Sequence, residues 1–102
     1  MEICGVRGMM VVRMYENGEL AKEEKRKTTW EETLYDVLAE FLAEEFKLAT
    51  YLYTESESNV LSGYLEDNHK THATGFFDER SLRIEFELDN KEYRIEIEEL
   101  EE

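Results

Sequence analysis

The chain has 102 residues, 41% of them hydrophobic and 12% aromatic, and 26 acidic against 12 basic side chains give it a formal charge of -14. That length suits one hydrophobic core, and so much apolar and aromatic bulk excludes a disordered acidic segment. The charge opposes phosphate backbones and anionic lipid surfaces, so neither a nucleic acid nor a membrane is expected as a direct partner, and no apolar run approaches the roughly 20 residues that cross a bilayer.

The lone Cys4 has no partner for an internal disulfide, and residues 1–20 lack the basic stretch followed by an apolar run that marks a signal peptide, so the expected location is the cytoplasm. Cys4 reads as a small apolar residue of a first strand rather than a nucleophile, because no flanking motif supplies a base.

From Gly8 to Lys27 the chain reads as a hairpin. Asn17-Gly18 lies between the run Met9, Met10, Val11, Val12, Met14, Tyr15 and Leu20-Ala21, and Asn-Gly accepts the positive φ angles of a type I′ turn. The return arm, Lys22 to Lys27, is nearly all charge and reads as a solvated edge strand or a frayed extension.

Thr29-Trp30-Glu31-Glu32 matches a capping box, which predicts a helix starting there and ending near Leu48 to Thr50. Trp30, Leu34, Val37, Leu38, Phe41, Leu42, Leu48 and Ala49 recur mostly three or four apart, as one stripe facing a core. Beyond it, residues 50–54 favour β structure and 55–59 a polar loop. A strand is predicted from Val60 to Glu66, then a polar loop from Asp67 to Thr74. Gly75-Phe76-Phe77 is left without an assignment.

The last hairpin is the most regular pattern. Leu82, Ile84, Phe86 and Leu88 alternate with Arg83, Glu85 and Glu87, and beyond Asp89-Asn90 the residues Tyr93, Ile95 and Ile97 alternate with Glu92, Arg94, Glu96 and Glu98. A two-residue turn sets Phe86 opposite Tyr93, Ile84 opposite Ile95 and Leu82 opposite Ile97 inside, and Glu85 opposite Arg94 and Arg83 opposite Glu96 outside. The expected fold is a single α+β domain over residues 1–102: an antiparallel sheet of two hairpins plus one or two further strands, packed against one amphipathic acidic helix.

Charge is uneven along the chain, with +1 over residues 1–30, -9 over 31–67 and -6 over 68–102. On the predicted helix Glu32, Asp36, Glu40 and Glu44 stand four apart in one row, flanked by Glu31 and Glu45, with Lys47 its only base. Like charges at that spacing cost about 0.2 to 0.5 kcal/mol per pair, roughly 1 kcal/mol for the row. Left uncompensated, such a ladder suits a basic protein groove, and Glu55, Glu57, Glu87 and Glu92 extend the candidate partner-binding surface. Against that stands a solvated face that serves solubility alone. Thermal adaptation would call for mixed-sign networks, which the helix lacks.

Other chemistry is thinly represented. His69 and His72 stand three apart near Glu66 and Asp67, with Lys70 between them, and read as an exposed loop rather than a metal site. Gly5-Val6-Arg7-Gly8 fits neither a Walker loop nor a dinucleotide fingerprint. Trp30, Tyr35, Tyr51, Tyr53 and Tyr64 read as core or core rim, with an interface role as the alternative. No cofactor and no catalytic residue is expected.

In size and charge the chain resembles the small acidic inhibitors carried by phages and other mobile elements, including anti-CRISPR and anti-restriction proteins. That resemblance implies a non-enzymatic inhibitor that sets an acidic surface against the nucleic-acid-binding groove of a DNA- or RNA-handling protein. The competing expectation is an interaction module or homodimer that associates through a sheet edge or apolar patch, its acids only solubilising.

Overall fold

Asn17 and Gly18 take positive φ values of 51° and 86°, and Asp89 and Asn90 take 53° and 66°. Both two-residue turns thus have the twist that lets a hairpin close without splaying its strands. They join β1 (Gly8–Glu16) to β2 (Glu19–Thr28) and β6 (Ser81–Leu88) to β7 (Lys91–Glu99). Between them lie α1 (Leu34–Phe46), β3 (Ala49–Thr54), β4 (Val60–Glu66) and β5 (Thr71–Phe77). These elements come from a computed structural model that describes residues 8–28, 33–54, 59–66 and 71–100.

Among the described residues the strands form one antiparallel sheet of seven in the order β2-β1-β7-β6-β5-β4-β3, and one helix joins its two edge strands, an α+β architecture. The last hairpin has the expected register, with Phe86, Ile84 and Leu82 opposite Tyr93, Ile95 and Ile97. The first hairpin docks on it through β1, where Val12 faces Ile97 and Met14 faces Ile95. Asn17 fixes that junction: its N–H donates to the Glu92 carbonyl at 2.7 Å, and its side-chain oxygen accepts the Glu92 N–H at 3.0 Å.

Four expectations need correction. The helix cap is Thr33, not Thr29: Asp36 N–H donates to Thr33 Oγ1 at 3.1 Å, and Thr33 N–H donates to Asp36 Oδ2 at 2.9 Å. Thr33 has the extended backbone a cap requires, and the expected capping box, residues 29–32, lies outside the described residues. The helix ends at Phe46, because Lys47 takes φ 58°, and this frees Leu48 and Ala49 to lead into β3. Residues 71–74, expected in a loop, belong to β5 together with Gly75-Phe76-Phe77. The sheet therefore carries three strands beyond its two hairpins rather than one or two.

Leu34, Val37, Leu38, Phe41 and Leu42 of α1 are buried in one cluster with Met10, Val12, Leu61, Leu65, Ala73, Ile84, Ile95 and Ile97. Phe46 adds edge-to-face contacts to Phe86 and Tyr93 at 5.6 and 5.0 Å between centroids. A flat sheet of this many strands would be nearly 30 Å wide, far broader than a helix of about 10 Å. Both edge strands nevertheless touch α1, so the sheet curls around it.

Two glycines permit that curl. A Cβ on Gly63 would lie 2.0 Å from the Tyr51 carbonyl oxygen, and one on Gly75 would lie 1.8 Å from the Arg83 carbonyl oxygen. Only a residue without a side chain lets the neighbouring backbone approach so closely.

Candidate functional site

Among the described residues the acidic row is exposed, but part of it has cations beside it. Inside the sheet's curl, β2 turns Lys22, Glu24 and Arg26 towards the helix, since they pair with Met14, Val12 and Met10 on the buried side of β1. Arg26 reaches Glu44 at 2.5 Å and Glu40 at 3.8 Å, and Lys22 pairs with Glu45. Both cations also lie over the Phe41 ring, 5.7 and 5.8 Å from its centroid, their stems covering a core aromatic while their heads meet carboxylates. Partial burial works against the Arg26 charge, but the hydrogen bonds that it donates to Glu24 and Glu44 outweigh it and raise its pKa. Lys22 is raised by its hydrogen bond with Glu45.

Each described member of the row thus has work inside the molecule. Asp36 closes the capping box, Glu40 and Glu44 flank Arg26, and Glu45 holds Lys22. For Glu40, Glu44 and Glu45 this overturns the expectation of a ladder without local cations. The mixed-sign network missing from the helix sequence is completed by a strand that ends six residues before the helix begins. Glu31, Glu32, Glu55 and Glu57 lie outside the described residues, as do Cys4, Trp30 and His69.

Glu87 and Glu92 are far from that network, on the opposite, open face of the sheet. They stand directly opposite each other across β6 and β7, exposed, and neither has an ion pair among the described residues. Elsewhere that face is mixed in sign. Arg13 bonds Glu23 at 2.6 Å and lies 3.7 Å from Glu98, while Arg94 sits 3.0 Å from Glu96 and 4.3 Å above the Tyr15 ring.

Towards the β3 side the open face changes character. Tyr51, Tyr53, Val60 and Phe76 are 51%, 61%, 38% and 54% exposed. Val60 lies opposite Phe76, Tyr51 lies opposite Tyr64 with rings 5.3 Å apart, and Arg83 covers Phe76 at 5.7 Å. Tyr51 and Tyr53, expected at the core or its rim, therefore point to solvent. Strand parity is the reason: Thr50, Leu52 and Thr54 take the inner positions opposite Leu65, Gly63 and Leu61. Val60 and Phe76 were missed for the same reason, although the alternation of Leu61, Gly63 and Leu65 with Val60, Ser62 and Tyr64 carried the signal.

Among the described residues the two edge strands of the sheet differ sharply. β2 is a ladder of Lys, Arg and Glu, a usual way of blunting an edge against pairing. β3 (ATYLYT) carries no Asp, Glu, Lys or Arg. The Tyr35 hydroxyl donates to the Thr50 carbonyl at 3.3 Å and accepts the Leu52 N–H at 3.5 Å, two long bonds to peptide groups of this edge strand. Beside it an apolar cleft of about 530 Å³ opens, lined by Leu34, Tyr35, Leu52, Leu61, Phe77 and Leu82, with Thr33, Thr54 and Glu79 at its polar margin.

Among the described residues, no three of His, Cys, Asp and Glu gather as metal ligands, and no helix is long and apolar enough to cross a membrane. Compared with known protein families, curated proteins and solved structures, the chain matches none.

Proposed function

We propose that this chain is a non-enzymatic protein-interaction module that docks through the β3 edge and the aromatic end of the open sheet face. On this reading the acidic helix is a structural layer, and its carboxylates hold β2 and keep the chain soluble. The observation that carries it is the contrast between the edges: β2 is blunted by charge, whereas β3 is neutral and continuous with exposed Tyr51, Tyr53, Val60 and Phe76. Exposed aromatics beside an unblunted edge are the surface that proteins bury against other proteins.

Affinity capture with immobilised variants tests the reading. Tyr51→Ser with Phe76→Ser should lose the partner, and Glu40→Gln with Glu44→Gln and Glu45→Gln should keep it. The reverse pattern overturns it.

A second reading retains the acidic surface as the recognition element. Here the protein is a small inhibitor of the anti-CRISPR or anti-restriction type, set against the basic groove of a DNA- or RNA-handling enzyme. Its support is the formal charge of -14 together with Glu87 and Glu92 facing each other without compensation. Cross-strand like charges are destabilising, and a basic partner would relieve them. Glu87→Gln with Glu92→Gln should then abolish capture, and rising salt should weaken it.

A further inference from the structure

Resting on the interaction-module reading, we propose that the occupant of the β3 edge is a second copy of this chain, and that Tyr35 is a removable cap on that edge. The direction of the peptide groups comes first. The Tyr51 carbonyl sits against Gly63 of β4, so residue 51 faces into the sheet, while Thr50 and Leu52 present their peptide groups outward to Tyr35. Alternation along the strand turns Thr54 outward as well.

Charge then selects the partner. A basic surface gains nothing at β3, where no acid stands. Two chains of formal charge -14 repel over most of their surfaces and meet at least cost where neither carries charge. Of the two edge strands only β3 offers that, and antiparallel pairing of β3 with itself is self-complementary, as a two-fold interface requires.

Register follows from the same geometry. Centred on Leu52, the pairing sets Leu52 opposite its own copy and Thr50 opposite Thr54, using the outward peptide groups of all three. It places Tyr51 beside Tyr53 of the second copy on the open face, in the closer, non-hydrogen-bonded kind of pair. The Leu52 N–H and Thr50 carbonyl used this way are those now held by Tyr35, so the hydroxyl must leave for the copies to join. Its bonds are long and neutral, and a strand replaces them with peptide hydrogen bonds of better length.

Sedimentation velocity across a wide concentration range tests this on three proteins. Wild type should show reversible dimerisation that strengthens as salt is raised, because screening weakens the repulsion between two anionic bodies. Tyr35→Phe keeps the packed ring and removes the cap from both copies, so its dimer should be roughly 25- to 100-fold tighter, a factor of about five to ten for the one modest hydrogen bond that each chain no longer gives up. Tyr53→Lys places charge on the edge and should loosen the dimer at least about tenfold while circular dichroism shows an unchanged fold.

A chain that stays monomeric in wild type and Tyr35→Phe alike, or a dimer indifferent to both substitutions or weakened by salt, overturns the proposal. Monomers whose captured partner still depends on Tyr51 and Phe76 would overturn self-docking alone and leave the interaction module standing. Loss of that dependence with dimerisation intact would do the opposite.

Discussion

Arg26 of β2 and Glu44 of α1 meet at 2.5 Å, with the guanidinium also over the Phe41 ring. The pair joins the edge strand to the helix across a sheet that would otherwise leave them apart. Arg26→Ala removes the ion pairs and the stem that covers Phe41, and should cost about 1 to 2 kcal/mol in urea unfolding. A double-mutant cycle with Glu44→Ala should return a coupling of about 0.5 to 1 kcal/mol, the upper part of the range for partly exposed pairs.

The curl of the sheet makes Gly75 a sensitive position. Its Cβ would strike Arg83 backbone, which cannot step aside as a flexible side chain would. Gly75→Ala should destabilise by roughly 2 to 3 kcal/mol. Thermal unfolding measures this, and a change within error would mean that the strands do not approach so closely.

Stability should fall at both ends of the pH scale for separate reasons. Asp78 is lowered by hydrogen bonds from the Arg80 N–H, the Ser81 hydroxyl and the Ser81 N–H. Its contribution is present above the unfolded carboxylate value of about 4 and is lost as pH falls through its lower folded value. Lys22 is raised, so its contribution is full below about 10.4 and is lost as pH rises through its higher folded value. Unfolding curves of Asp78→Asn and Lys22→Met should flatten the acid and alkaline limbs respectively.

Asn90 holds φ 66° in the β6–β7 turn. Asn90→Gly should raise stability by about 0.5 kcal/mol, whereas Asn90→Val should lower it by about 1 to 2 kcal/mol, since a branched side chain is strained at positive φ. Opposite signs at one exposed site, read by chemical denaturation, check the turn type directly.

Much of the fold was legible because it is local. Asn17-Gly18 marked one hairpin, the alternation from Leu82 to Ile97 set the register of the other, and Val60 to Glu66 was a strand with the expected bounds. β5 was hidden by composition: Thr71, His72 and Thr74 are polar because they lie at its margin or on the open face, and Gly75 is small because a neighbouring backbone presses on it. The candidate site was least legible, because its meaning depends on what lies across from each residue. Sequence spacing showed Glu40 and Glu44 in a row with Glu45 beside it but could not show Lys22 and Arg26 arriving from another element, and it gave no sign of which face of β3 would hold Tyr51 and Tyr53.

The sign of one stability change tests the account most directly. In an acid row without partners, neutralisation relieves like-charge repulsion between Glu40 and Glu44, and the helix gains a few tenths of a kcal/mol. In the row found here, neutralisation takes Glu40 and Glu44 from Arg26, leaving it Glu24, takes Glu45 from Lys22, and so loosens the grip of α1 on β2. Urea unfolding of the Glu40→Gln, Glu44→Gln, Glu45→Gln protein should therefore show a loss of about 1 to 2 kcal/mol that shrinks as salt is raised. A protein as stable as the parent, or more so, would contradict the account and return the acidic helix to the role of a recognition surface.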